Sequence, residues 1–443
     1  MTLGSAAALG CGEPGGEASD ALPVPGATTT GPTNEGNGEG CHARSYVSVL
    51  AADAAAPGTT VDELEADAVG GAWVAGRLVG GASFGGVPFA SQGGADAFVA
   101  RLDPCGRARW ARPYGGGGEE TFHDLAVDGQ GNAYLLGSFD GTVDFGTGPV
   151  TGEGRGRDAF LLKLGPRGDI AWWKHVETLD GGAYVADLAV DAEGGVLLLG
   201  HLEGEVSLGD AGVQSSTVTG FAAKIAPTGH TAWASRLGTY ADWEPLAIEA
   251  APGGGAFVAG EDARGVGLFA LAVTAEGGVA WTKSFRTPGQ FEESFFDLTV
   301  ANDGRPIVSG RGFFAQGVPP GAEPPYFVAK LGEGGEPAWV AFRETPAHQV
   351  GGRPDGSLVA AGHVCDDVSL PEPASCVVAV SNVAADGAEV DTRLLRGDAV
   401  ASALDVETSG RPLLAGAFEG RLRIDGAQAA GRRGDQYVAR LLR

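Results

Sequence analysis

No run of about 18 apolar residues occurs in the chain, so it encodes no membrane-spanning helix. Positive charge is scarce: 30 Lys and Arg stand against 56 Asp and Glu, a net charge of −26. A surface of that sign repels phosphate backbones and anionic headgroups, which removes nucleic acid from the expected partners. Short catalytic signatures are scarce as well. There is no HExxH pair, Walker A loop, EF-hand loop or His-rich tract, and the cysteine spacings match no zinc pattern. No catalytic residue, metal or cofactor is therefore expected, and the chain is expected not to be an enzyme. What is abundant is glycine, 76 of 443 residues, which suits many tight turns and few long helices.

The chain begins MTLGSAAALGC and then turns polar. Residues 1–11 resemble the end of a bacterial lipoprotein signal, which implies lipidation of Cys11. Ala8 departs from that pattern, standing where leucine is usual, and no basic stretch precedes the apolar run. Residues 12–40 are Gly, Pro, Thr, Glu, Asp and Asn with almost nothing to bury. They are expected to form a disordered tether spanning on the order of 30 Å. The resemblance implies a protein of the bacterial cell envelope, lipid-anchored or secreted, touching a membrane only through the anchor.

From residue 41 to 443 the chain repeats itself. DLAVDGQGNAYLLG, Asp124 to Gly137, recurs as DLAVDAEGGVLLLG ending at Gly200 and as DLTVANDGRPIVSG ending at Gly310. Weaker copies end at Gly76, Gly260, Gly362 and Gly416. Each has an apolar anchor twelve positions before the closing glycine: Leu64, Leu125, Leu188, Ile248, Leu298, Val350 and Leu404. Each copy reads as a β-hairpin, with its glycine at a close backbone approach or a bulge. The glycine-to-glycine spacings are 61, 63, 60, 50, 52 and 54, which suggests one unit with loop insertions.

A second half follows, as in DAFVARLDPCGRARWAR from Asp96 and DAFLLKLGPRGDIAWWK from Asp158. The sixth copy loses its tryptophan, and the seventh stops after DQYVARLLR. Two hairpins make a four-stranded antiparallel blade. The expected fold is all-β, a seven-bladed β-propeller in which an N-terminal strand, Tyr46 to Leu50, completes the last blade. These motifs resemble the bacterial SBBP β-propeller repeat family and, more loosely, quinoprotein-like propellers. The looser resemblance implies that Trp110, Trp172, Trp233, Trp281 and Trp339 are structural wedges between blades.

Cys365 with Cys376 is a reasonable disulfide in an exported protein, and Cys41 with Cys105 is a further pairing. The turns of the type Asp128–Asn132 read as turn formers rather than calcium loops. Equivalent positions of a propeller fall on rings. The residues before the anchors are Glu63, Asp124, Asp187, Ala247, Asp297, Gln349 and Ala403. Those after the closing glycines are Arg77, Ser138, His201, Glu261, Arg311, His363 and Ala417. The two are expected to be cross-strand neighbours, pairing Glu63 with Arg77, Asp187 with His201 and Asp297 with Arg311. Arg77, Asp124, His201, Glu261, Arg311 and His363 are the candidate binding residues of the rim. The primary functional expectation is a monomeric, non-enzymatic interaction module for an envelope protein or glycan. The alternatives are a rim-borne lyase, hydrolase or quinoprotein-like oxidoreductase, and an outer-membrane assembly factor-like lipoprotein.

Overall fold

The structure, a computed structural model, describes residues 28–30, 44–53, 58–145, 148–152, 157–179, 183–239, 243–262, 267–285, 294–312, 325–365 and 376–442. The expected leader, Cys11 and Cys41 lie outside these residues. All described elements are β-strands. Within the expected tether, Thr28–Thr30 pairs antiparallel with Gln428–Ala430.

The seven hairpins form where the repeat places them. Their inner strands include Thr60–Ala66, Glu120–Val127, Ala183–Val190, Trp243–Ala250 and Ser294–Val300, followed by the shorter Gln349–Gly352 and Ala403–Val406. In three repeats an aspartate three positions after the anchor closes its own turn. Asp128 Oδ1 accepts from the N–H groups of Gln130 and Asn132, both at 2.9 Å. Asp67 and Asp191 do the same in their repeats. The free oxygen of such an acid then faces a cation on the third strand: Asp191 meets Lys224 at 2.7 Å, and Asp67 meets Arg101. The turn aspartates are thus occupied as structural groups.

Five of the inner strands carry a β-bulge at the same place, between Val61 and Glu63, Phe122 and Asp124, Val185 and Asp187, Pro245 and Ala247, and Phe295 and Asp297. The closing glycine lies opposite this bulge. A Cβ at Gly76 would stand 2.1 Å from the Thr60 carbonyl oxygen, a distance no side chain tolerates.

The expected closed ring of seven separate four-stranded blades is corrected by the sheet topology. The strands form sheets of thirteen, eight, four, four and two strands, and none closes into a ring. Only the repeats after Gly200 and before Gly362 give isolated four-stranded sheets, Trp243–Phe285 and Ser294–Arg343. The cause is strand length. Ala72–Phe84 with Val87–Leu102, Val196–Ser207 with Gly212–Ile225, and Pro412–Ile424 with Ala427–Arg440 run on as long ribbons. Each ribbon reaches the last strand of the preceding repeat, through Ser83↔Ala51, Val206↔Thr178 and Arg423↔Arg396. The fold is therefore propeller-like, with neighbouring repeats fused into larger sheets.

The inner strands still stand beside one another around one central cavity, the strand Ala403–Val406 against Thr60–Ala66. Between repeats, tryptophans pack on turn glycines. A Cβ at Gly168, Gly277, Gly335 or Gly387 would fall within 2.9 Å of Trp110, Trp233, Trp281 or Trp339 of the repeat before, and Gly229 faces Trp172 at 3.4 Å. The indole N–H groups of Trp172, Trp233 and Trp339 donate to carbonyls of Pro227, Ala275 and Ala385 in those same turns. At the junction of the chain's two ends Tyr46 takes this place, packed on Gly106.

That junction pairs Tyr46–Leu50 with Gln436–Arg440. Arg440 is fully buried there. Its Nη1 meets Glu407 Oε1 at 3.0 Å, its Nε donates to the Arg44 carbonyl at 3.1 Å, and its Nη2 donates to the Pro104 carbonyl at 2.5 Å. The guanidinium lies 4.8 Å from the Tyr46 ring centre. One side chain thus ties the last strand to the first strand and to two turns. Removing one partner of a buried pair leaves the other charge uncompensated. Arg440→Ala should cost about 3–5 kcal/mol in chemical denaturation; an unchanged midpoint would show that the junction does not hold the ends together.

Candidate functional site

The central cavity, about 600 Å³, is lined by the inner strands. Alternation along a strand turns every second residue inward. The bulge adds its own residue to that face, so three layers form. The mouth carries the bulge residues His123, Leu246 and Phe296, with His348 and Ser402 just before the two shorter inner strands. The middle layer carries Glu63, Asp124, Asp187, Asp297 and Gln349, and the lowest carries Glu65, Glu249 and Asp405. Among the described residues seven carboxylates line the cavity and no Lys or Arg does.

Most of these acids are engaged across repeat boundaries. Asp124 Oδ1 accepts from its own neighbour Leu125 N–H at 2.7 Å, while Oδ2 accepts from Leu188 N–H of the next repeat at 2.5 Å. Asp187 reaches Ile248 N–H at 2.6 Å, and Asp297 reaches Val350 N–H at 2.6 Å. Asp405 reaches Ala66 N–H at 2.7 Å across the chain-end junction. Where Ala247 offers no acid, Glu261 substitutes and accepts from Phe295 N–H at 2.6 Å. Gln349 donates instead, to the Ser402 carbonyl at 3.1 Å.

Burial and crowding raise the acids' pKa values. Burial pushes Asp297 up to about 7 against the pull of its two amide hydrogen bonds. Burial, followed by the charges of Asp297 and Asp124, raises Glu249 to about 8. Glu63, Glu65 and Asp187 are raised well above the usual range, by burial and then by neighbouring carboxylates. The histidines move the other way. Burial and then the charge of His363 lower His348 to about 4, with the two rings 4.7 Å apart. Burial also lowers His123, whose Nε2 lies 2.8 Å from Ser138 Oγ.

Of the six rim candidates, Asp124 lines the cavity. Arg77 stands at the rim 4.0 Å from Glu119, His201 stacks on Tyr184 with centroids 5.5 Å apart, and Arg311 covers the Tyr326 ring. Glu261 serves the boundary described above, and His363 stands behind His348. The expected pairs within hairpins do not form. Arg77 lies opposite Thr60, His201 opposite Tyr184 and Arg311 opposite Ser294, while Glu63, Asp187 and Asp297 face Ala75, Leu199 and Ser309. The anchor sits opposite the residue two before the glycine, and the bulge adds a further offset. Glu65, Glu249, Asp405, His123, Phe296 and His348 were not singled out from the sequence. Alternation from the first ring gives the first three; the mouth residues follow only once the bulge is known.

A disulfide joins Cys365 and Cys376, whose strands pair at that register. Cys105 is disulfide-bonded as well. One GxSxG string occurs, Gly81 to Gly85, but it lies on a β-ribbon with Ser83 opposite Pro88, so no strand-to-helix elbow presents the serine.

No family model matches the chain, that of the SBBP-type repeats included, and no curated protein matches it. Solved structures resemble it at low identity. A puromycin hydrolase mutant complexed with PGG aligns at TM-score 0.50 and 16% identity, over 84% of this chain and 53% of that one. The chain thus spans about half of that hydrolase. Virginiamycin B lyase from Staphylococcus aureus aligns at TM-score 0.49 and 9% identity, over 90% and 100% of the two chains. A Hadza microbial sialidase aligns at TM-score 0.38 and 9% identity, over 88% and 93%. At these identities the likeness concerns the fold. Because a hydrolase shares that fold, the expectation of a non-enzyme is corrected to one that leaves catalysis open. A site gathered one residue per repeat leaves no contiguous motif, so missing motifs do not argue against catalysis.

A carboxyl with a raised folded pKa binds its proton more tightly when folded, so the stability it contributes is lost as pH rises through that value. His348 acts oppositely below about 6.5, the ordinary histidine value. The clean window for Asp297 and Glu249 is therefore about pH 6.5 to 8.5. Melting temperature should fall across it. Glu249→Gln should flatten the fall and gain about 1–3 kcal/mol at its alkaline end; a melting temperature that rises with pH there would refute the assignment.

Proposed function

We propose that the chain is an enzyme of hydrolase or lyase type, working by general acid–base catalysis in the central cavity. One observation carries this reading: a single open cavity holds His348, lowered to about 4, together with Asp297 and Glu249, raised to about 7 and 8. At neutral pH the imidazole is free to accept a proton while the carboxyls still have one to give. Environments that drive titratable groups apart in this way define acid and base roles. His348 is the base of the proposed site, and Asp297 and Glu249 are its acids. Phe296, 4.9 Å from His348 between ring centres, supplies an apolar wall beside the base.

Seven carboxylates with no lining Lys or Arg favour a substrate that carries an amine or another cationic group. The Cys365–Cys376 disulfide supports a protein that works outside the reducing cytoplasm.

Full-length protein assayed on chromogenic amides, esters, glycosides and eliminable substrates, each in cationic, neutral and anionic form, should turn over a cationic member. His348→Gln and Glu249→Gln should each lower kcat by about 100-fold or more. The rate should decline above pH 8 as the acid loses its proton. Turnover that is indifferent to substrate charge, or full activity in both variants, would overturn the reading.

A further inference from the structure

A second pair of acids lies outside the cavity, between the repeats of Leu64 and Leu125. Asp96 stands on the strand Val87–Leu102, opposite Leu78. Glu120 opens the strand Glu120–Val127, opposite Phe139. Both side chains are fully buried. The glycine-rich turn 115–118 brings them together. A Cβ at Gly115 would stand 2.4 Å from Glu120 Oε2, 2.9 Å from Asp96 Cγ and 3.1 Å from Asp96 Oδ1, so both carboxyls converge on one point. One oxygen of each is engaged: Glu120 Oε2 accepts from Gly116 N–H at 3.1 Å, and Asp96 Oδ2 accepts from Gln92 N–H at 2.7 Å. The others, Asp96 Oδ1 and Glu120 Oε1, are buried without a hydrogen-bond partner. The nearby Arg157 spends its guanidinium on Glu119, 3.6 Å away, and on the carbonyls of Glu119 and Ser138.

Two buried carboxyl groups with vacant oxygens, and no cationic side chain against them among the described residues, are costly unless a proton or a metal ion neutralises them. We propose that Asp96 and Glu120 bind a calcium ion between these two repeats. Their unpartnered oxygens are the side-chain ligands. Two carboxylates are fewer ligands than calcium takes, so main-chain carbonyls and water complete the shell. The Gly116 and Gly118 carbonyls already lie against Gly93 and Gly94, two steps from Asp96. An all-oxygen set on an irregular glycine turn suits calcium better than magnesium, which demands near-octahedral geometry. The ion would brace the turn that leads into the strand carrying His123 and Asp124, so the site is independent of the proposed chemistry while bordering it.

Chelator-treated full-length protein, titrated with Tb3+ by luminescence and with Ca2+ by calorimetry, should bind one ion of each, with Ca2+ displacing Tb3+. Calcium should raise the melting temperature. Asp96→Asn and Glu120→Gln should each weaken binding at least about tenfold, and the double variant should abolish it. Asp297→Asn, in the central cavity, should leave it unchanged. Failure of the wild-type protein to bind at millimolar calcium overturns the proposal whether or not the variants fold. Retained binding in the double variant, or loss in Asp297→Asn alone, overturns it too, the latter by placing the ion in the cavity.

Discussion

The structure depends on a carboxylate that reaches across a repeat boundary to a backbone amide. Asp124, Asp187 and Asp297 each hold the anchor amide of the following repeat, and Asp405 does the equivalent across the chain-end junction. A bulge lies just before each of the first three. The amides they hold lie on inner strands that pair on one side only, and buried amides must be satisfied. These bonds set the inner strands around the cavity, while the tryptophan-on-glycine contacts set the outer edges.

The same solution creates the chemistry. Four of the seven carboxylates in the cavity, Asp124, Asp187, Asp297 and Asp405, are there to hold inner strands. Their mutual repulsion and burial keep protons on some of them near neutral pH. A structural requirement thereby yields groups able to donate protons, and the bulge before Asp124 also places His123 at the mouth. A protein so built needs no catalytic motif confined to one segment.

Much of the architecture was readable in the repeat. The anchors, closing glycines, turn acids and tryptophans recur at set spacings because each repeat solves the same packing problem. The pairing of Tyr46–Leu50 with the C-terminal strand was readable from a strand lacking a hairpin at one end and a half-repeat at the other. The fused sheets were not. The spacings of 61 and 60 after Gly76 and Gly200 hold the long ribbons while the 63 after Gly137 does not, so length alone does not distinguish a loop from a ribbon that pairs with its neighbour. The ring of candidate residues was half readable. Its inner members line the cavity as alternation requires, whereas the partners assigned to them were displaced, because a bulge breaks the period of two without leaving a residue signature in so varied a set as Asp62, His123, Ala186, Leu246 and Phe296.

Infrared difference titration of the carboxyl C=O band tests directly whether the cavity acids hold protons at neutral pH, with Glu249→Gln and Asp297→Asn as assignments. Protonated carboxyl signal should persist to pH 7–8 and diminish in each variant. Complete loss of that signal by about pH 5, as for ordinary carboxyls, would show that these acids do not hold them.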